Sequence, residues 1–267
     1  MKKILNIVGH FVLSEIKKFA IAIPIVILSF TIYVQCTKIG TVLTLDTNGI
    51  KWYISQNIDF TKEELQEIAD TVTLSLHKKG IETKDFDITL VLCNSTNEFL
   101  WKALVWDDKL QGVTRHLFEH TVINRSSIKE NKMIDFDNST LSDVIIHEIC
   151  HIYLSKRLSK IKVFFLETWK NEGYCEYISE HSTLDIEEGL SLFMTNDKAE
   201  IEKTDRDKIL YFYFTSRLKT DYLLGYKKMP FDEFIDTDYD EELLEEEIRT
   251  ALKNETYKFP SKDYGIQ

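Results

Sequence analysis

His147-Glu148-Ile149-Cys150-His151 decides how the rest of this chain is read. The stretch has the pattern H-E-x-x-H. On a helix, residues four apart stand on one face, so both imidazoles project from the same side. Two neutral imidazole nitrogens so placed can hold Zn²⁺. Glu148, next to the first of them, can then take a proton from a zinc-bound water. A helix is expected over about 140–158. Thr140, followed three residues later by Asp143, makes a capping-box-like start. Leu141, Val144, Ile145, Ile149 and Ile152 then recur near helical spacing.

Two histidines do not complete a catalytic zinc site, which usually takes three protein ligands and leaves the fourth position to water. Glu172 is the expected third ligand. It follows His151 by 21 residues, enough for one helix to end, a loop to turn and a second helix to pack alongside. Thr168 is expected to cap that second helix, with Trp169 in its first turn. Glu176, four residues after Glu172, shares its face. A metal-bound histidine generally donates its other ring N–H to a carboxylate or carbonyl, and Glu176 suits that part.

Trp169, Glu172, Gly173, Glu176 and Tyr177 spell W-x-x-E-G-x-x-E-Y. With His147, Glu148 and His151 ahead of them, the chain resembles the gluzincin-type zinc metallopeptidases, the peptidase MA-like family, over about residues 86–236. The resemblance implies one Zn²⁺ per chain held by His147, His151 and Glu172, with Glu148 as general base. It implies a peptide or protein substrate, hydrolysed through a zinc-activated water. It also implies a small upstream sheet whose edge strand receives the substrate. Such enzymes often place a Tyr or His on a later helix to stabilise the oxyanion, and Tyr211 or Tyr213 could serve. Cys175 departs from the pattern, since small residues such as Ala are usual there, but it is small and apolar enough to pack.

Simpler readings compete. H-E-x-x-H alone occurs by chance in helices. Glu172, Glu176 and Glu180 could form a solvated helix face, although Trp169, Tyr174 and Tyr177 make this segment unusually aromatic for an exposed helix. Tyr211 and Tyr213 each read more simply as aromatic core packing. The alternative function is a catalytically silent, zinc-stabilised domain that binds a peptide or envelope partner. In a third reading both motifs are coincidental and the protein holds no metal.

The 267 residues are 43% apolar and 29% charged, an ordinary globular composition, with net charge −11. The main body is acidic, which argues against nucleic acid as a partner. Residues 19–37 carry no charge and lie between Lys18 and Lys38. At about 1.5 Å per residue that run nearly matches a hydrocarbon core of about 30 Å. Lys2, Lys3, Lys17 and Lys18 precede it, and no A-x-A-like cleavage site follows. The positive-inside rule then gives a single-pass cell-membrane anchor with the N-terminus cytoplasmic and the main domain extracytoplasmic. The expected organisation is a cytoplasmic segment at 1–18, a transmembrane helix at 19–37, a strand and helix portion at 38–85 and the metallopeptidase-like domain at 86–267.

The fold class is α+β, with a small mixed sheet beside the zinc helix pair and a helical C-terminal part. Strands are expected at Val42–Leu45 and Lys51–Ile54, joined through Asn48-Gly49. A helix follows from Thr61 and Glu64, a capping box, to Gly80. A strand at Phe86–Cys93 and a short helix from Ser95 come next. Gly112–Leu117 and Thr121–Asn124 read as further strands. His116 and His120 are also four apart, but on a strand or turn they read as polar surface residues. Ile161–Leu166 is an apolar connector, read as core cover. Later helices are expected over Asp207–Leu224 and Asp238–Asn254. Cys36, Cys93, Cys150 and Cys175 read as free thiols.

Overall fold

Asn48 and Gly49 both take positive φ and turn the chain between β1 (Thr41–Thr47) and β2 (Ile50–Ser55), the hairpin expected from an Asn-Gly pair. The computed structural model describes residues 24–25, 28–136, 139–182 and 184–260. From β2 the sheet grows by parallel pairing, β2 with β3 (Ile88–Leu92) and β3 with β5 (His120–Ile123). β4 (Gly112–Arg115) runs antiparallel to β5. The order β1-β2-β3-β5-β4 leaves β1 and β4 as the two edges. The fold is therefore α+β, built on a mixed five-stranded sheet.

Alternation along β3 divides the core. Ile88, Leu90 and Leu92 join the main core with Leu65, Ile68 and Val72 of α2 (Lys62–Lys78) and Ile145 and Ile149 of α4 (Leu141–Leu158). Val91 and Cys93 face the other way and pack with Phe99 and Ala103 of α3 (Thr96–Ala103) and Val122. Every residue of β3 is buried, as expected of a central strand covered by helices on both faces. The Thr61–Glu64 capping box starts α2 as expected. The division at residue 85 falls inside this single sheet and core, because β2 pairs directly with β3.

The second half is helical: α5 (Lys160–Phe164), α6 (Thr168–Ser179), α7 (Ile186–Thr195), α8 (Lys198–Ile201), α9 (Asp205–Thr220), α10 (Phe231–Asp236) and α11 (Glu241–Lys253). A π-helical turn, Asp221–Tyr226, extends α9. α6 lies between α4 and α9. Gly173 makes the α6–α9 approach possible, since a Cβ there would collide with the backbone oxygen of Ser216 and the hydroxyl of Thr220.

Two local expectations are corrected. The N-cap of α6 is Glu167, not Thr168, and it caps through no side-chain hydrogen bond. The 161–166 connector is a helical turn whose Val163 alone is buried. Ile161, Phe164 and Phe165 project to solvent, at 75%, 77% and 77% exposure, because no further element among the described residues covers this corner.

A helix α1, of which residues 24–25 and 28–37 are described, precedes the sheet. Of the expected span 19–37, residues 19–23 and 26–27 lie outside the described residues. Among the described residues, no helix is long and apolar enough to cross a membrane.

Candidate metal centre

Thr140 starts α4 by accepting a hydrogen bond from the Asp143 N–H at 3.1 Å. Leu141, Ile145, Ile149 and Ile152 then face the core, and the remaining stripe of α4 turns His147 and His151 toward α6. Their Nε2 atoms are 3.2 Å apart. Glu172 Oε2 on α6 stands 3.3 Å from His147 Nε2 and 3.5 Å from His151 Nε2. Three ligands around a tetrahedral ion with bonds of about 2.0–2.1 Å would be separated by about 3.3–3.4 Å. The three atoms therefore have the spacing of three corners of such a site. The three side chains keep 12%, 14% and 17% exposure, so the group is nearly but not wholly closed to solvent.

Both outer ring nitrogens face an oxygen, His147 in an ion-pair contact and His151 in a hydrogen bond. His147 Nδ1 is 3.2 Å from Glu176 Oε1, and His151 Nδ1 is 3.1 Å from Asn171 Oδ1. A metal bound at the two Nε2 atoms would leave the protons on Nδ1, facing these two oxygens, the tautomer a metal ligand needs. Glu176 is itself held. Its Oε2 is 3.6 Å from His181 Nδ1, and His181 Nε2 is 3.0 Å from Ser139 Oγ. Glu176 was expected from the sequence. Asn171 and His181 were not, because no spacing rule marks a residue beside a ligand or one placed after the left-handed turn at Glu180.

The electrostatics follow the same contacts. Burial opposes charge on His147, but hydrogen bonds to Glu172 and Glu176 outweigh it and raise its pKa well above the ordinary range. Burial likewise opposes ionised Glu176, yet His181 and His147 beside it hold its pKa down to about 2. Glu172 is buried too, and His151 and His147 lower its pKa.

Cys175 offers another grouping, since ligand atoms of His147, His151 and Cys175 all lie within 4.8 Å of one another. The Glu172 set fits better. Cys175 Sγ sits 3.4 Å from His151 Nδ1, the nitrogen turned away from His147 and toward Asn171. Burial, Cys150 and the nearby carboxylates Glu172 and Glu148 also raise the Cys175 thiol well above its usual pKa, opposing the thiolate a metal requires. All four cysteines are unbridged.

Glu148 points to the sheet. A Cβ built on Gly112 would stand 2.7 Å from Glu148 Oε1 and 2.8 Å from its Cγ, so only glycine lets this carboxylate lie against β4. Two residues on, Thr114 Oγ1 donates to the backbone oxygen of Glu148 at 3.2 Å. β4 is an edge strand. The Asn124 N–H donates to Gln111 O at 2.8 Å, so in the alternation of an antiparallel pair Val113 and Arg115 bond to β5. Gly112 and Thr114 turn their backbone groups to the open edge, beside Glu148.

Tyr213 of α9 packs edge-on to His147, with ring centroids 6.3 Å apart. Burial, then Glu172, Glu176 and Glu148, push its pKa up, so its hydroxyl stays a donor. Tyr211 lies instead beside Arg249 and Glu245. His116 and His120 join neither group of ligand atoms. His120 is buried completely, against its reading as a surface residue, and its Nε2 is 2.9 Å from Thr37 Oγ1.

Comparison with known proteins returned no matching family model and no matching curated protein.

Proposed function

We propose that this chain is a zinc metallopeptidase of the gluzincin type, held at a membrane by residues 19–37 with its main domain outside the cytoplasm. The observation that carries this reading is the triangle of His147 Nε2, His151 Nε2 and Glu172 Oε2, with edges of 3.2, 3.3 and 3.5 Å; Glu148, next in the chain to His147, lays its carboxylate against Gly112 of the edge strand β4. Those three residues would hold one Zn²⁺. A bound zinc supplies Lewis-acid activation of water and polarisation of the scissile carbonyl. The chain's own residues do the rest. An extended substrate adds to β4 through the free backbone groups of Gly112 and Thr114, by strand addition. Glu148 takes the proton of the attacking water and gives it to the leaving amine. The Tyr213 hydroxyl donates to the carbonyl oxygen as charge develops on it. Glu176 and Asn171 fix the two imidazoles.

The test is the zinc content of the purified full-length chain beside a His147→Ala, Glu172→Ala variant. About one zinc per chain, lost in the variant, is the expected result. No zinc in a folded parent sample supplied with the metal would overturn the reading. Zinc in the parent without hydrolysis of any peptide in a library would point to the silent, zinc-stabilised binding domain.

A further inference from the structure

The end of the uncharged run is fastened to the domain at three levels. Thr37 Oγ1 meets His120 Nε2 at 2.9 Å. One turn earlier, the Tyr33 hydroxyl donates to Lys102 O. Earlier still, Phe30 stacks on Phe118 with ring centroids 4.0 Å apart and planes 8° from parallel. The segments that make these contacts carry large apolar side chains in the open. Trp101, Leu104 and Trp106 flank or follow Lys102, and Trp106 is 100% exposed. Leu117 is exposed beside Phe118. Its backbone oxygen accepts from Lys160 Nζ at 2.9 Å, which joins it to α5 with Phe164 and Phe165. Single exposed apolar residues are ordinary, but six on three adjoining segments mark a surface made to be covered.

The register of α1 identifies the cover. The uncharged run ends at Thr37. A helix rises about 1.5 Å per residue, so Phe30 lies about 10 Å further along the axis, back into the run. Phe118, stacked on Phe30, is carried to that level, and Tyr33 brings the Trp101–Leu104 turn to a level between. Side chains that lie in a lipid interface sit about 5–10 Å into the headgroup and acyl boundary. Tryptophan favours that layer, with an apolar body and one donor.

We propose that the face formed by Trp101, Leu104, Trp106, Leu117, Phe164 and Phe165 lies in the lipid interface of the membrane that holds α1. This rests on the anchor reading of residues 19–37. The attraction is apolar rather than electrostatic, because Asp107 and Asp108 adjoin Trp106 and the main body is acidic.

The tryptophans supply their own probe. Trp52 and Trp169 are buried, at 0% and 3% exposure, whereas Trp101 and Trp106 are 54% and 100% exposed. The full-length chain is reconstituted in phosphatidylcholine vesicles with plain or brominated acyl chains. Alkaline extraction of the same vesicles reports the anchor. The chain is expected to resist extraction and to lose the emission of Trp101 and Trp106 to bromine, while a Trp101→Phe, Trp106→Phe variant keeps its remaining emission. A chain that resists extraction yet emits equally in both vesicles overturns the interfacial face and leaves the anchor standing, with a protein partner as the cover. A chain that alkali extracts overturns the anchor reading, and the interfacial face falls with it. Neither result bears on the metal site.

Discussion

His147 and His151 are four residues apart, and so are His116 and His120, but the two pairs have opposite fates. On α4 the spacing brings both rings to one face, with their Nε2 atoms 3.2 Å apart. Between His116 and His120 the chain makes a 3₁₀ turn, passes through the left-handed Glu119 and enters β5. The two rings therefore have no common face. His120 goes under α1, against Thr37 and Tyr33. Burial acts on His147 and His120 alike and disfavours the charged ring in both. The difference lies in what faces the ring. Two carboxylates reverse the effect of burial at His147. At His120, Lys38 and Arg115 add to it, and the pKa falls to about 4. Spacing proposes a ligand pair, and the backbone and the surrounding charges decide it.

The contrast breaks most sharply if the helical pair does no chemistry. Glu148→Gln keeps the size and removes the base. Peptide hydrolysis should fall by about 10²–10⁴-fold, the usual worth of a general base, with bound zinc unchanged. Cleavage at the parent rate by that variant would remove Glu148 from the proposed mechanism.

His120 gives the next largest effect, and in stability rather than turnover. Its folded pKa lies near 4, below the ordinary 6.5. The folded state therefore binds fewer protons than the unfolded chain between those values. The contribution of neutral His120 is complete above pH 6.5. It is lost as the pH falls toward 4 and changes little below that, by about 3 kcal/mol in all. Urea unfolding across pH 4–7 should show this loss in the parent and a flatter profile in His120→Asn. Equal slopes in the two would mean that His120 is not held neutral.

Much of the site was legible because its parts are local. The cap at Thr140, the apolar stripe of α4 and the four-residue spacings of His147 with His151 and Glu172 with Glu176 all survive folding. Tertiary facts were not legible. Gly112 reads as an ordinary glycine until β4 is laid against Glu148. Asn171 and His181 support the ligands across loops that no periodicity describes. Ile161–Leu166 looks like core from composition. Only the position of α5 at an uncovered corner shows that most of its apolar side chains face outward. His120 was misread for the converse reason, since the element that buries it is α1, distant in sequence.

Glu176 sharpens the contrast on a smaller scale, because it is the carboxylate that His120 lacks. Glu176→Gln retains an acceptor for His147 Nδ1–H but removes the charge that also pairs with His181. Zinc affinity should weaken by about tenfold, the low end of the 10–100-fold cost of losing a supporting residue. A chelator competition titration measures it. An unchanged affinity would show that hydrogen bonding alone orients the ring.

His116 should give the smallest effect, and it tests whether the two pairs are separate at all. It follows β4 directly, at the strand end opposite to Gly112 and Glu148. Burial lowers its pKa, and the positive charges of His151, Lys160 and Arg115 lower it further, so it shares the neighbourhood of the site without a carboxylate of its own among the described residues. A ring with no negative partner is poorly prepared to hold a cation or to fix one that does. His116→Ala should therefore leave zinc stoichiometry and affinity unchanged in the same chelator titration. A loss of about tenfold or more, the size expected of a supporting residue, would join the two pairs into one site and remove the distinction between them.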